Sequence, residues 1–124
     1  HFSKQLTLIS GYSDLVLEVE FETSDLNLKA TLGVVIVGRN GRPISSVSSL
    51  SDGVFLPVND AGIGHIVLTF PVFLLLRGRY WINIFLLCEK GLHIYDKAEC
   101  VSELMVQQEG AELGIVKMPH CWSL

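Results

Sequence analysis

Apolar and polar residues alternate along most of this chain, and the alternation has period two. Leu15, Leu17, Val19 and Phe21 fall on one side of a segment whose other side carries Val16, Glu18, Glu20 and Glu22. That pattern predicts a half-buried strand with one wet face. Leu28, Ala30, Leu32, Val34 and Ile36 alternate in the same way with Lys29, Thr31, Gly33, Val35 and Val37, and the run ends at Gly38-Arg39-Asn40-Gly41, where Asn-Gly signals a tight turn. Pro43 to Asp52 is Ser-rich and reads as a weak edge strand or a loop. Ile66, Leu68 and Phe70 alternate again. Arg77-Gly78-Arg79 then turns the chain into Tyr80–Leu87, His93–Asp96 is short and extended, Cys100–Gln107 is a further strand, and Ile115–Met118 is a last short one. Lys97–Gln108 is the best helical contender, because Ala98, Val101, Leu104 and Met105 approach helical spacing, but Val106 and the following Gly110 also suit a strand. Eight or nine short strands with turn signals every 8–12 residues predict an all-β fold, an Ig-like antiparallel β-sandwich. With no internal repeat or linker, residues 1–124 read as one domain.

Composition narrows what such a domain does. Hydrophobic residues make up 49% of the 124 positions and charged residues 18%, enough apolar material for a core. Nine Lys and Arg against 13 Asp and Glu give a net charge of −4. That balance lacks the basic footprint of a nucleic-acid binder and the attraction to anionic lipid. Cys88, Cys100 and Cys121 form no CxxC pair, and an odd count without metal spacing favours a reducing, cytoplasmic compartment with all three as small buried or half-buried hydrophobes. The start, His1-Phe2-Ser3-Lys4, has neither an initiator Met nor an apolar signal region, which suggests a piece of a longer protein. The most apolar run, Ile63–Leu76, is interrupted by Gly64, His65 and Pro71 and is too short to span a bilayer.

The usual signatures of catalysis are missing. The sequence contains no GxxxxGK[ST], HExxH, GxSxG or GxGxxG motif. His1, His65, His93 and His120 each stand alone, with no metal-ligand spacing. Glu18, Glu20 and Glu22 share one strand face, a pattern that more often marks a solvated face than a catalytic pair. No catalytic residue, metal site or cofactor is assigned.

The segment Tyr80–Leu87 is the most informative. Tyr80, Ile82, Ile84 and Leu86 belong to one face, and Trp81, Asn83, Phe85 and Leu87 to the other. A Tyr after a Gly turn at the head of a strand is the arrangement of a tyrosine corner, so the Tyr80 face is the core side. Tyr80, Ile82, Ile84, Leu17, Val19, Leu32 and Val34 are therefore expected inside. Trp81 and Phe85 then point outward with an amide between them. Sugar rings stack their apolar C–H faces on aromatic rings and fix their hydroxyls through polar groups, so this face suits a saccharide. Cover by a protein partner suits the same aromatics. Pairing with the Lys29–Val37 strand places Thr31, Gly33 and Val35 beside Asn83 and Phe85. Gly33 would leave a shallow trough there, with Thr31 at its edge and Tyr95 and Asp96 as rim candidates, Tyr95 suiting the core equally.

Gly78-Arg79-Tyr80, then Tyr95-Asp96, Val106, Gly114-Ile115-Val116-Lys117-Met118-Pro119 and Trp122 form an ordered series. In that order and spacing the chain resembles the C-terminal domain of the ATP-binding subunit, of the Wzt type, of O-antigen polysaccharide ABC transporters. The resemblance spans nearly the whole chain; Ser45–Ser51 departs from the family's Asn-Thr turn and leaves the path of that loop open. It implies a non-catalytic sandwich that binds the non-reducing terminus of a lipid-linked O-polysaccharide at the cytoplasmic side of the inner membrane. It also implies a preceding ATPase domain and, through the full-length protein, a membrane-spanning transporter subunit as partner. A homodimer is implied too, with a C-terminal strand exchanged between protomers, here carrying Leu113, Ile115, Val116, Met118 and Trp122.

Overall fold

In the computed structural model, which describes residues 4–124, seven strands form two facing sheets. The strands are β1 (Lys4–Ile9), β2 (Leu15–Glu22), β3 (Thr31–Val37), β4 (Pro43–Ser48), β5 (Ile63–Phe70), β6 (Gly78–Leu87) and β7 (Ile94–Gln107). The larger sheet has the order β1-β7-β6-β3-β4 and the smaller is the antiparallel pair β2-β5. All pairings are antiparallel except one: β1 runs parallel to β7, from Lys4 beside Ser102 to Ile9 beside Gln107. The expectation of a purely antiparallel sandwich is corrected at this edge, while the all-β sandwich stands.

Local chemistry accounts for most element boundaries. Strand β3 begins only at Thr31, because Asp25 Oδ1 accepts the Asn27 N–H and the Asp25 carbonyl accepts the Leu28 N–H, winding the preceding residues into a turn. It ends at a 3-10 turn in which Asn40 has φ 62° and Gly41 φ 71°, the left-handed conformations that Asn and Gly tolerate best. The Ser-rich stretch becomes the edge strand β4. Past Ser48 the chain turns through residues 49–53, with Ser49 Oγ accepting the Leu32 N–H, and this fixes the path of the loop after β4. Strand β7 unites the two segments expected on either side of Lys97. Ile115–Met118 forms only a single bridge, Val116 to Leu75, flanked by Leu76 N–H to the Ile115 carbonyl and Lys117 N–H to the Leu74 carbonyl, each 2.7 Å.

The core lies between the sheets. Leu15 and Leu17 of β2 face Leu32, Val34 and Ile36 of β3, Tyr80 and Ile82 of β6, and Leu104 and Val106 of β7; Phe73 and Leu75 join them from the β5–β6 connection. Burying each large aliphatic side chain stabilises the fold by about 1.5–3 kcal/mol. Tyr80 forms the expected corner: its hydroxyl donates to the Leu76 carbonyl at 2.8 Å, and burial pushes its phenol pKa upward. Val19 and Ile84, expected inside, are only half-buried. A cleft of about 800 Å³ runs between the sheets along β2 and is lined by both residues, together with Phe21, Leu86 and Ser102. It arises because a two-stranded sheet cannot cover a five-stranded one. The acidic face of β2 is exposed, with Glu18 3.6 Å from His65 on β5.

Candidate functional site

The register between β3 and β6 decides which side chains share the outer face of the large sheet. Gly33 lies opposite Phe85, Val35 opposite Asn83, and Val37 opposite Trp81. In an antiparallel pair, opposed residues point to the same side. Gly33, Val35, Trp81, Asn83 and Phe85 are thus brought together as the sequence predicts. Trp81, Asn83, Phe85 and Val35 are half-buried, so each keeps accessible surface.

Three expected members sit differently. Thr31 is opposite Leu87 on this face but is only 3% exposed, so its hydroxyl is no rim partner. Gly33 is buried: a Cβ there would lie 3.5 Å from Leu87 Cδ1 and 3.8 Å from Phe85 Cβ. The Leu87 side chain reaches over the glycine, and the trough expected at that position is closed. Asp96 pairs with Leu86, a core-side residue, and lines the inter-sheet cleft, on the opposite side of the sheet from Trp81. Tyr95 is exposed beside the irregularity in pairing between Leu86 and Leu87.

Asn83 also has a role that the alternation does not reveal. Between Ile82–Ser102 and Ile84–Ala98 the β6–β7 register slips, and Glu99, Cys100 and Val101 bulge opposite Asn83. Asn83 Oδ1 accepts the Cys100 N–H at 2.8 Å, and Cys100 has φ 52°, a left-handed conformation that is costly for a residue with a Cβ. Val101 packs on the core, while Glu99 pairs with Lys97 at 3.5 Å. Lys97 itself is opposite Phe85. Glu99 therefore stands on the outer face next to Asn83.

Further polar groups on this face were not singled out in the sequence. Ser48 lies opposite Gly33 and Ser46 opposite Val35, so two β4 hydroxyls flank the apolar strip. Glu103 lies opposite Trp81 and pairs with Arg79 at 3.6 Å. The only sequence signal for these positions is period two in a weakly apolar run, which places a serine on a face once the pairing partner is known. The result is a strip of Trp81, Phe85, Leu87 and Val35 bordered by hydroxyls on one side and by a carboxylate-bearing bulge on the other.

Elsewhere, Cys88 is half-buried, and the expectation that all three cysteines are buried or half-buried fails for Cys100 and Cys121, which are exposed. Both sit where the chain leaves regular pairing, one in the bulge and one in the extended tail. Cys88 Sγ accepts the Leu92 and His93 N–H groups at 3.3 Å each, and these backbone donors draw its pKa downward. Among the described residues no group of three or more His, Cys, Asp and Glu side chains is placed to hold a metal ion. No helix among them is long and apolar enough to cross a membrane. His1 lies outside the described residues.

Beyond β7, the side chain of Gln108 accepts the Arg77 N–H and donates to the carbonyls of Gly110 and Glu112. After this anchor Leu113, Met118 and Trp122 are 95%, 69% and 83% exposed, and Ile115 and Val116 about half exposed.

No protein-family model matches the sequence, and no curated protein matches it. Among solved structures, the crystal structure of the C-terminal domain of Wzt superposes with a TM-score of 0.71 over 95% of this chain and 73% of that one, at 13% sequence identity. The chain therefore has the fold of that domain. The sandwich inferred from alternation and the fold inferred from the ordered motifs agree.

Proposed function

We propose that this domain is a non-catalytic carbohydrate-binding module that recognises the non-reducing terminus of a lipid-linked O-polysaccharide during ABC-transporter export. The observation that carries this reading is the outer strip of the large sheet, where Trp81 and Phe85 flank the Asn83 amide on a fold shared with the C-terminal domain of Wzt. Aromatic rings supply stacking surface, Ser46, Ser48 and Glu99 supply directional partners for hydroxyls, and Asn83 holds the bulge that carries Glu99. The inter-sheet cleft is larger, but aliphatic core residues such as Leu17, Leu32, Ile84 and Leu86 form much of its wall. Glu18, Glu20, Asp96 and Ser102 also line it and offer polar partners, but among the described residues Phe21 is its one aromatic, so it lacks the pair of rings that the outer strip presents.

Binding makes and breaks no covalent bond. Each sugar–protein hydrogen bond replaces one to water and nets about 0.5–1.5 kcal/mol. A short glycan held by a few such bonds and one stacked ring binds at roughly −4 to −6 kcal/mol, which is millimolar to high-micromolar. In this reading ATP is hydrolysed by a domain that precedes this one, and the full-length protein meets a membrane-spanning subunit at the cytoplasmic face of the inner membrane.

The module further acts as a homodimer, with Leu113, Ile115, Val116, Met118 and Trp122 meeting a second copy. Support comes from their exposure on a segment tied to the sandwich by one bridge and the Gln108 anchor. Two linked sites would raise the apparent affinity for a polymer through avidity. The test of the function is an array of delipidated O-polysaccharides from several serotypes, probed with the isolated domain. Binding to one or a few of them is expected, and binding to none would remove the reading.

A further inference from the structure

The bulge in β7 changes what the strip is. A regular strand beside β6 would leave the outer face flat from β4 to β1. Instead the chain carries extra residues opposite Asn83, with the Cys100 backbone held against the Asn83 side chain. The extra length has two consequences. Val101 and Ser102, adjacent in sequence, both line the cleft on the core side, and Glu99 is left on the outer side, where Lys97 holds it at 3.5 Å. A bulge re-aims side chains in this way, at the cost of a local break in the ladder.

We propose that the bulge Glu99–Val101 is the polar wall of the glycan site, that the Glu99 carboxylate accepts hydrogen bonds from a pair of neighbouring sugar hydroxyls, and that Asn83 is a positioning residue acting through the bulge. The inference rests on the outer-face reading above. Its chemistry follows from the groups present. A carboxylate has two acceptor oxygens in one plane, matched to two hydroxyls on adjacent ring carbons. Ion pairing with Lys97 restrains the carboxylate next to Phe85, against which a ring would stack. Asn83 Oδ1 accepts the Cys100 N–H and so holds the wall in place, a role that Asn83→Asp separates from donation by Nδ2. The ligand class is a terminal sugar with a free vicinal diol.

Three variants separate this from a direct role of Asn83. Asn83→Asp keeps an acceptor for the Cys100 N–H and loses the amide donor; Asn83→Ala loses both; Glu99→Gln exchanges a charged acceptor for a neutral one. The probe is the delipidated O-polysaccharide that binds best on the array, titrated by calorimetry. Glu99→Gln and Asn83→Ala should each weaken binding about tenfold, while Asn83→Asp stays within about threefold of the parent. Amide hydrogen exchange without glycan supplies an independent readout: the Cys100 amide should exchange at least about tenfold faster in Asn83→Ala and keep its protection in Asn83→Asp. If Asn83→Asp binds as poorly as Asn83→Ala, or Glu99→Gln binds like the parent, the inference is wrong. Trp81→Ala serves as the control for the underlying reading. Loss of binding there with intact binding in Glu99→Gln overturns the wall alone, and intact binding in all variants overturns the face itself.

Discussion

Replacing Tyr80 by Phe tests the corner that orients β6 and so directs Trp81 outward. The change removes one hydroxyl, which donates to the Leu76 carbonyl at 2.8 Å from a residue only 6% exposed. Losing the bond costs about 1 kcal/mol, and leaving the carbonyl of a buried Leu76 unpaired raises the cost to about 1–2 kcal/mol. Over 124 residues, an unfolding entropy of about 2.1 cal/mol/K per residue gives roughly 0.26 kcal/mol/K, so Tm should fall by roughly 4–8 °C. The assay is thermal unfolding followed by circular dichroism. A second leg uses pH. Burial raises the Tyr80 pKa in the folded state above its ordinary value. The stability that depends on the protonated phenol is therefore complete below about pH 10 and is lost as pH rises through the folded-state value. The gap between parent and Tyr80→Phe should be full at pH 8 and shrink above about pH 10, since Phe has nothing to ionise. A Tm within about 1 °C of the parent, or a gap that stays constant into alkaline solution, would refute the reasoning.

Gly64 lies opposite Phe21 in the β2–β5 pair, and a Cβ there would run into the Phe21 ring. Gly64→Ala should destabilise the domain by about 1–3 kcal/mol in denaturant titration, and adding Phe21→Leu should recover part of the loss; strict additivity of the two changes would contradict the contact. Deleting residues 113–124 should convert a dimer into a monomer in sedimentation velocity, and a folded dimer after the deletion would exclude exchange through that segment.

Much of the architecture is written in local pattern. The alternation Leu15-Val16-Leu17-Glu18-Val19-Glu20 marks β2 because a half-buried strand must sort its side chains every second residue, and Leu15 and Leu17 are indeed buried. The Tyr80 corner is legible because a Gly turn, a Tyr and an alternating run occur together. Strand β1 was not legible. Its Lys-Gln-Leu-Thr-Leu-Ile offers a short alternation, and its parallel partner lies about a hundred positions further along the chain. The bulge was hidden for a more instructive reason. The step from Ala98 to Val101 that gave this region a helical look is the bulge itself: both residues line the cleft on the core side, three positions apart within one strand. Period two fails there because the chain carries additional residues, and only the Asn83 contact with Cys100 explains how they are held. The outer strip was legible in membership but not in relief. Register could be inferred for β3 and β6, whereas the reach of Leu87 over Gly33 depends on side-chain packing.

The most direct test of the account is a calorimetric titration of the O-polysaccharide that binds best on the array into the parent domain and into Trp81→Ala. The parent should bind with a Kd in the high-micromolar to millimolar range. Trp81→Ala should stay folded by circular dichroism and lose about 1–2 kcal/mol of binding, a roughly 5- to 30-fold weaker Kd. A folded Trp81→Ala domain that binds the same polysaccharide as tightly as the parent would contradict the assignment of this face.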